Sequence, residues 1–114
     1  MRERALAPAV KVALDHYSRA LRDRFGARVA ELVLFGSHAR GTAHEDSDVD
    51  LLVAIDGLTE EERTEAMDMA YLIDFRAEDW AGLSPLVYSA EHVASLRRGG
   101  RRLLRDIDRE GVHL

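Results

Sequence analysis

The sequence predicts an α/β (α+β) fold, a small β-sheet with helices packed on it, on three observations. Apolar residues at steps of three and four from Leu6 to Phe25 put one stripe on a helix. Two apolar runs, Val29 to Phe35 and Leu51 to Ile55, read as strands. Between and after them, strand-like and helix-like patterns alternate, which is the signature of a sheet covered by helices. Strand order is not set by such a pattern.

In order along the chain, the first helix carries Leu6, Val10, Leu14, Tyr17, Leu21 and Phe25, with Gly26 as its stop. Val29 to Phe35 has Glu31 as its only polar residue, and Gly36 ends it. Ser37 to Ser47 is polar and punctuated by glycine. Asp48 to Ile55 is the strongest strand, apolar on both faces as a central, doubly covered strand requires. Thr59 and Glu62 form a capping box that opens a long helix to about Glu78, with Ala66, Met69, Ala70 and Ile73 as its buried stripe. Leu83 to Tyr88 contains Pro85, which a hydrogen-bonded ladder tolerates at an edge or a bulge. Ser89 caps a short helix to about Arg98, Gly99 and Gly100 interrupt it, and Leu103, Leu104 and Ile107 line one side of a last helix closed by Gly111.

With 114 residues, the chain is expected to form one domain over residues 1–114. No cysteine occurs, which removes disulfides and thiolate chemistry. The net charge of −5 argues against extensive nucleic-acid binding. Every basic residue except Lys11 is arginine, which suits planar recognition of phosphate or carboxylate and leaves no P-loop lysine. The apolar stretch Ala5 to Val10 is broken by Lys11 and Asp15, too soon for a signal peptide or a membrane span, so a cytoplasmic location is expected.

The unusual chemistry lies in LVLFGSHARGTAHEDSDVDLLVAI, residues 32–55. Gly36 and Ser37 end a strand. If a helical turn follows, backbone N–H groups and the Ser37 hydroxyl converge on a spot that favours an anion. A lone Gly-Ser is more simply a strand-to-helix turn. Asp48 and Asp50, two apart at the start of a strand, point to one face and suit a hard cation, or else stand as solvated turn residues. An EF-hand is excluded because Leu51 and Gly57 fall where that loop needs its glycine and its bidentate glutamate. The histidines show no helical zinc-ligand pair, and His38 and His44 read as loop surface.

Gly36-Ser37, ten intervening residues, then Asp48-Val49-Asp50 between two apolar strands resembles the signature of the DNA polymerase beta-like nucleotidyltransferase superfamily. The finer text GSHARGTAHEDSDVDLLV is similar to its minimal nucleotidyltransferase (MNT) branch. The resemblance implies a mixed β-sheet and Mg²⁺-dependent transfer of a nucleoside monophosphate from an NTP, with ATP the first candidate, to a hydroxyl, releasing pyrophosphate. It assigns Gly36, Ser37 and Arg40 to the nucleotide, Asp48 and Asp50 to one or two Mg²⁺ ions, and Asp48, Asp50 and Ser37 to catalysis. Gly41 and Ser47 match as loop-forming residues. It further implies an antitoxin whose acceptor is a helical HEPN-type toxin. The alternatives are a nucleotide-binding antitoxin that neutralises its partner by complex formation, and a transferase acting on a small-molecule hydroxyl.

One departure is visible. The superfamily's third carboxylate belongs on the next strand, yet Leu83 to Tyr88 holds no Asp or Glu, and Asp74 and Asp79 lie upstream of it. Arg97, Arg98, Arg101, Arg102 and Arg105 read as a solvated face balanced by Asp106, Asp108 and Glu110. Met67, Met69 and Tyr71 read as core or interface filler, and Trp80 as a plug for the sheet edge or a partner surface, the partner being a HEPN chain or a second copy.

Overall fold

The computed structural model describes residues 6–44 and 46–114; Ala5 and Glu45, which fall in segments read above, lie outside them. Helix α1 (Pro8–Phe25) begins with proline in its first turn, where the missing N–H costs nothing. A 3-10 turn leads into β1 (Val29–Phe35), followed by the four-residue helix α2 (Ser37–Arg40) and then β2 (Val49–Ile55). Next come α3 (Glu60–Arg76), β3 (Leu83–Ser89), α4 (Ala90–Arg98), α5 (Arg102–Glu110) and β4 (Val112–His113).

The sheet is mixed, in the order β3-β2-β1-β4. β1 runs antiparallel to β2 and β4, while β2 and β3 are parallel. As its sequence requires, β2 is internal and buried from Val49 through Ile55 except at Asp50. Pro85 sits on the edge strand β3. Alternation sends Val49, Leu51, Val53 and Ile55 to a core built with α1 and α3, and Leu52 and Ala54 to a core with Val93, Leu104 and Ile107 of α4 and α5. Among the described residues no helix is long and apolar enough to cross a membrane.

Both oxygens of the expected capping box are in use. The Thr59 hydroxyl accepts from Glu62 N–H, and the Glu62 carboxylate accepts from Thr59 N–H, both at 3.1 Å. The stripe on α3 is narrower than predicted: Ala66 and Ala70 are buried, whereas Met69 and Ile73 only border the core. Met67, Tyr71 and Phe75 face outward, the two rings stacked at 6.1 Å, so Met67 and Tyr71 are not core filler. On α5, Leu104 and Ile107 are buried, and Leu103 is turned to the surface. The helix ends at Arg76 rather than Glu78. The reason is Asp74. Its carboxylate is 3% exposed and accepts from Ala81 N–H at 3.3 Å and Leu83 N–H at 2.7 Å, which turns the chain out of α3 and into β3.

Strand β4 was not visible in the sequence, because two residues carry no periodicity. Of the basic run, Arg97 is paired as expected with Asp108 at 2.8 Å, and also bridges Glu31 at 3.1 Å; Asp106 pairs instead with Arg109 at 2.9 Å, and Glu110 turns to Arg40.

Two outcomes are expected. Asp74→Ala leaves two backbone donors without their acceptor and should lower unfolding stability by about 2–3 kcal/mol in urea titrations, with Asp74→Asn milder; an unchanged midpoint would contradict this anchoring role. The Arg28 side chain, and then the Thr59 backbone N–H, hold the Glu62 carboxyl at about 2, below its ordinary 4.5. That pair therefore contributes stability above pH 4.5 that is lost as pH falls toward 2. The melting temperature should fall with acid across this range more steeply in the wild type than in Glu62→Gln.

Candidate active site

The antiparallel register places Phe35, the last residue of β1, opposite Asp50, the second residue of β2. Gly36 is thereby set directly against the Asp50 carboxylate. Its backbone takes φ +78 and ψ −155, a region open essentially to glycine alone, and a Cβ there would collide with Asp50 Oδ2. Glycine is thus required twice, for its torsions and for the approach.

From Gly36 the chain turns at once into α2. Arg40 N–H donates to Gly36 O at 3.1 Å, and Thr42 N–H donates to Ser37 O at 2.9 Å. Gly41 closes the turn in the left-handed conformation at φ +77. Ser47 accepts from His44 N–H at 3.0 Å and so braces the loop, as its match suggested, and its carbonyl lies 3.3 Å from His38 Nε2.

Ser37, Arg40 and Asp50 line one cleft of about 330 Å³ with Phe35 and Gly36. Asp48, exposed, immediately precedes β2 beside Gly82, whose carbonyl accepts from Val49 N–H at 2.9 Å. Burial raises the pKa of Asp50, the neighbouring charge of Asp48 raises it further, and His38 and Arg40 pull in the other direction. A carboxylate destabilised by burial and by a second carboxylate is one that a cation would stabilise. The donors are hard oxygens, and a Cβ-free backbone faces one of them. This suits Mg²⁺, which is commonly held by one or two carboxylates together with substrate phosphates. Among the described residues, no three His, Asp or Glu side chains gather to hold a metal by themselves.

The third-carboxylate position can be read from register. Ser84 of β3 stands beside Asp50, with its side chain on the same face by alternation. Neither upstream acid fills the gap: Asp74 is committed to the backbone of Ala81 and Leu83, and Asp79 lines a different groove, between α1 and α3. The acids that do share the cleft come from α5. Asp106 and Glu110 lie in its wall with Leu103, and Glu110 approaches the Arg40 guanidinium at 3.6 Å. Sequence reasoning treated both as counter-charges. Their spacing with Leu103, at i, i+3 and i+7, puts them on one helix face, but only tertiary packing shows which end of the sheet that face meets.

A mixed sheet with a glycine-serine turn set against a strand-end carboxylate defines a nucleotidyl-transfer type of domain. The chain belongs to the nucleotidyltransferase domain family, whose sequence profile matches residues 14–83. It is 55% identical over 40 residues to the protein adenylyltransferase MntA of Thermococcus cleftensis, a match covering 35% of this chain and 38% of that protein. It is 34% identical over 62 residues to a candidate protein adenylyltransferase of Methanocaldococcus jannaschii, covering 54% of this chain and 52% of that one. The chain thus spans only about a third to a half of the relatives' length in these matches. Its fold resembles a chain in a toxin-antitoxin crystal structure with AMP-PNP, with a TM-score of 0.54 and 22% identity over 85% of this chain and 68% of that one.

Gly36→Ala should cost about 1–3 kcal/mol of stability from the forbidden torsion, plus the collision with Asp50. In a double-mutant cycle by urea unfolding, the cost should shrink when Asp50 is first replaced by alanine, since the colliding oxygen is gone. Strictly additive costs would contradict the contact.

Proposed function

We propose that this chain is a Mg²⁺-dependent nucleotidyltransferase that moves a nucleoside monophosphate from an NTP, ATP first among them, to a hydroxyl on a partner protein. The observation that carries the reading is the cleft in which Ser37, Arg40 and Asp50 meet over the bare backbone of Gly36. In this reading the Gly36-Ser37 turn and Arg40 hold the triphosphate, and Asp48 and Asp50 hold the metal. When bound, Mg²⁺ supplies neutralisation of the phosphate oxygens and a lowered pKa for a coordinated hydroxyl. The acceptor oxygen bonds to the α-phosphorus as the bond to pyrophosphate breaks, a displacement that asks the protein chiefly for alignment and charge.

The acceptor is proposed to be a helical HEPN-type toxin, with this chain as its antitoxin. The protein adenylyltransferase name of the Thermococcus relative supports a protein acceptor, and the toxin-antitoxin origin of the structural neighbour supports a toxin as that partner. So does the outward strip Met67, Tyr71 and Phe75, an apolar face suited to a protein partner. A cytoplasmic setting and a one-domain chain fit the same proposal.

Ser84 beside Asp50 favours a second reading, a nucleotide-binding antitoxin with weak turnover. Without a third carboxylate, deprotonating the acceptor is the step left least supported, and general-base contributions are worth roughly 10²-fold or more.

Calorimetry should show NTP affinity falling sharply without Mg²⁺ and in Asp48→Asn; unchanged affinity in both would remove the metal site. With α-labelled ATP and the co-expressed partner, label should enter slowly. Asp50→Asn should abolish the signal, and Ser84→Asp should leave it unchanged or raise it. Transfer at full speed to simple acceptors would contradict the missing-base argument, and absence of label under all conditions would leave only the binding antitoxin.

A further inference from the structure

An NTP brings a flat aromatic base as well as phosphates, and the cleft that holds Ser37 and Asp50 offers it little. Its aromatic residue, Phe35, is packed against the core beneath α4 and α5. On the other side of the 36–47 loop lies a second groove of about 560 Å³, between that loop and the start of α1. Leu6, Val10 and Ala81 are among its apolar lining residues, and His38 and Trp80 line it as well. Trp80 is the only tryptophan in the chain and is 66% exposed, too open to be a plug for the sheet edge.

Two features bring this groove near the carboxylate pair at Asp48. Trp80 Nε1 and Asp48 Oδ1 flank the same residue: a Cβ on Gly82 would lie 3.5 Å from the first and 3.8 Å from the second. The absence of a side chain at Gly82, which also holds φ +83, therefore leaves the indole and the carboxylate as close neighbours. His38, on the groove side, directly follows Ser37 in α2. For an α-phosphate held at Asp48, the indole is thus the aromatic face that borders the same residue, Gly82.

We propose that Trp80 is the stacking surface for the nucleobase of the bound NTP. This rests on the reading of Asp48 and Asp50 as the NTP site and adds to it the element that recognises the base. An indole face accepts any base, purines better than pyrimidines because they present more area, so the device favours ATP and GTP over UTP.

The single tryptophan makes the test direct. In the presence of Mg²⁺, ATP should change Trp80 fluorescence, whereas inorganic tripolyphosphate should compete with ATP yet leave the emission unaltered. Trp80→Ala should weaken ATP binding about 5- to 150-fold, the usual range for losing one base-aromatic stack, with tripolyphosphate affinity unchanged. Trp80→Phe should restore most of it. Asp50-dependent ATP binding that is indifferent to Trp80→Ala would overturn the stacking surface alone. If neither ATP nor tripolyphosphate binds the wild-type chain, the NTP site fails and the stacking surface with it.

Discussion

The approach of the Gly36 backbone to the Asp50 carboxylate decides where every other group at this end of the sheet can stand. It follows from register: β1 and β2 pair antiparallel, so the end of one strand meets the start of the other, with Phe35 opposite Asp50. A side chain at position 36 would push the two apart, and a torsion other than that of glycine would send α2 elsewhere. With both requirements met, the chain folds back within five residues to Gly41, and Ser37 and Arg40 are delivered to the side of Asp50.

What fixes the register is ordinary packing. β2 is covered on both faces, and a slip of one residue would exchange its two sets of side chains between two different cores. The aspartates sit where this burial ends, Asp50 half-buried at the margin and Asp48 exposed just outside. That gradient gives the pair its asymmetry. One carboxylate is held in surroundings that disfavour its charge, and the other remains in water. Asp74 stabilises the third side of the arrangement, anchoring the start of β3 so that Ser84 and Gly82 flank the pair. On the sheet face to which Asp50 belongs, α5 walls the cleft, and its Glu110 engages Arg40.

Much of this was legible in residues alone. The helical stripe of α1, both strand runs and the capping box each follow from a local rule with one outcome, and of the two places open to Pro85, an edge or a bulge, the sheet puts it on the edge strand. The pairing of Gly36-Ser37 with Asp48 and Asp50 was readable as a spacing, though the collision that makes Gly36 obligatory was not. Three things were out of reach for a common reason. The two-residue β4, the acids of α5 in the cleft wall, and the place of Trp80 beside Asp48 all depend on which distant segments meet. Met67 and Tyr71, read as core or interface filler and found outside the core, show the converse limit: an apolar residue at helical spacing belongs to some face, and the pattern does not say which.

The central claim is that Asp48 and Asp50 share a divalent cation with a triphosphate held at Gly36 and Ser37. Anomalous diffraction from crystals grown with Mn²⁺ and a non-hydrolysable NTP analogue tests it most directly. An anomalous peak is expected in contact with both carboxylates and with phosphate oxygens that also reach the Ser37 turn. A nucleotide bound elsewhere, or one seated at Ser37 with no metal between it and the aspartates, would contradict it.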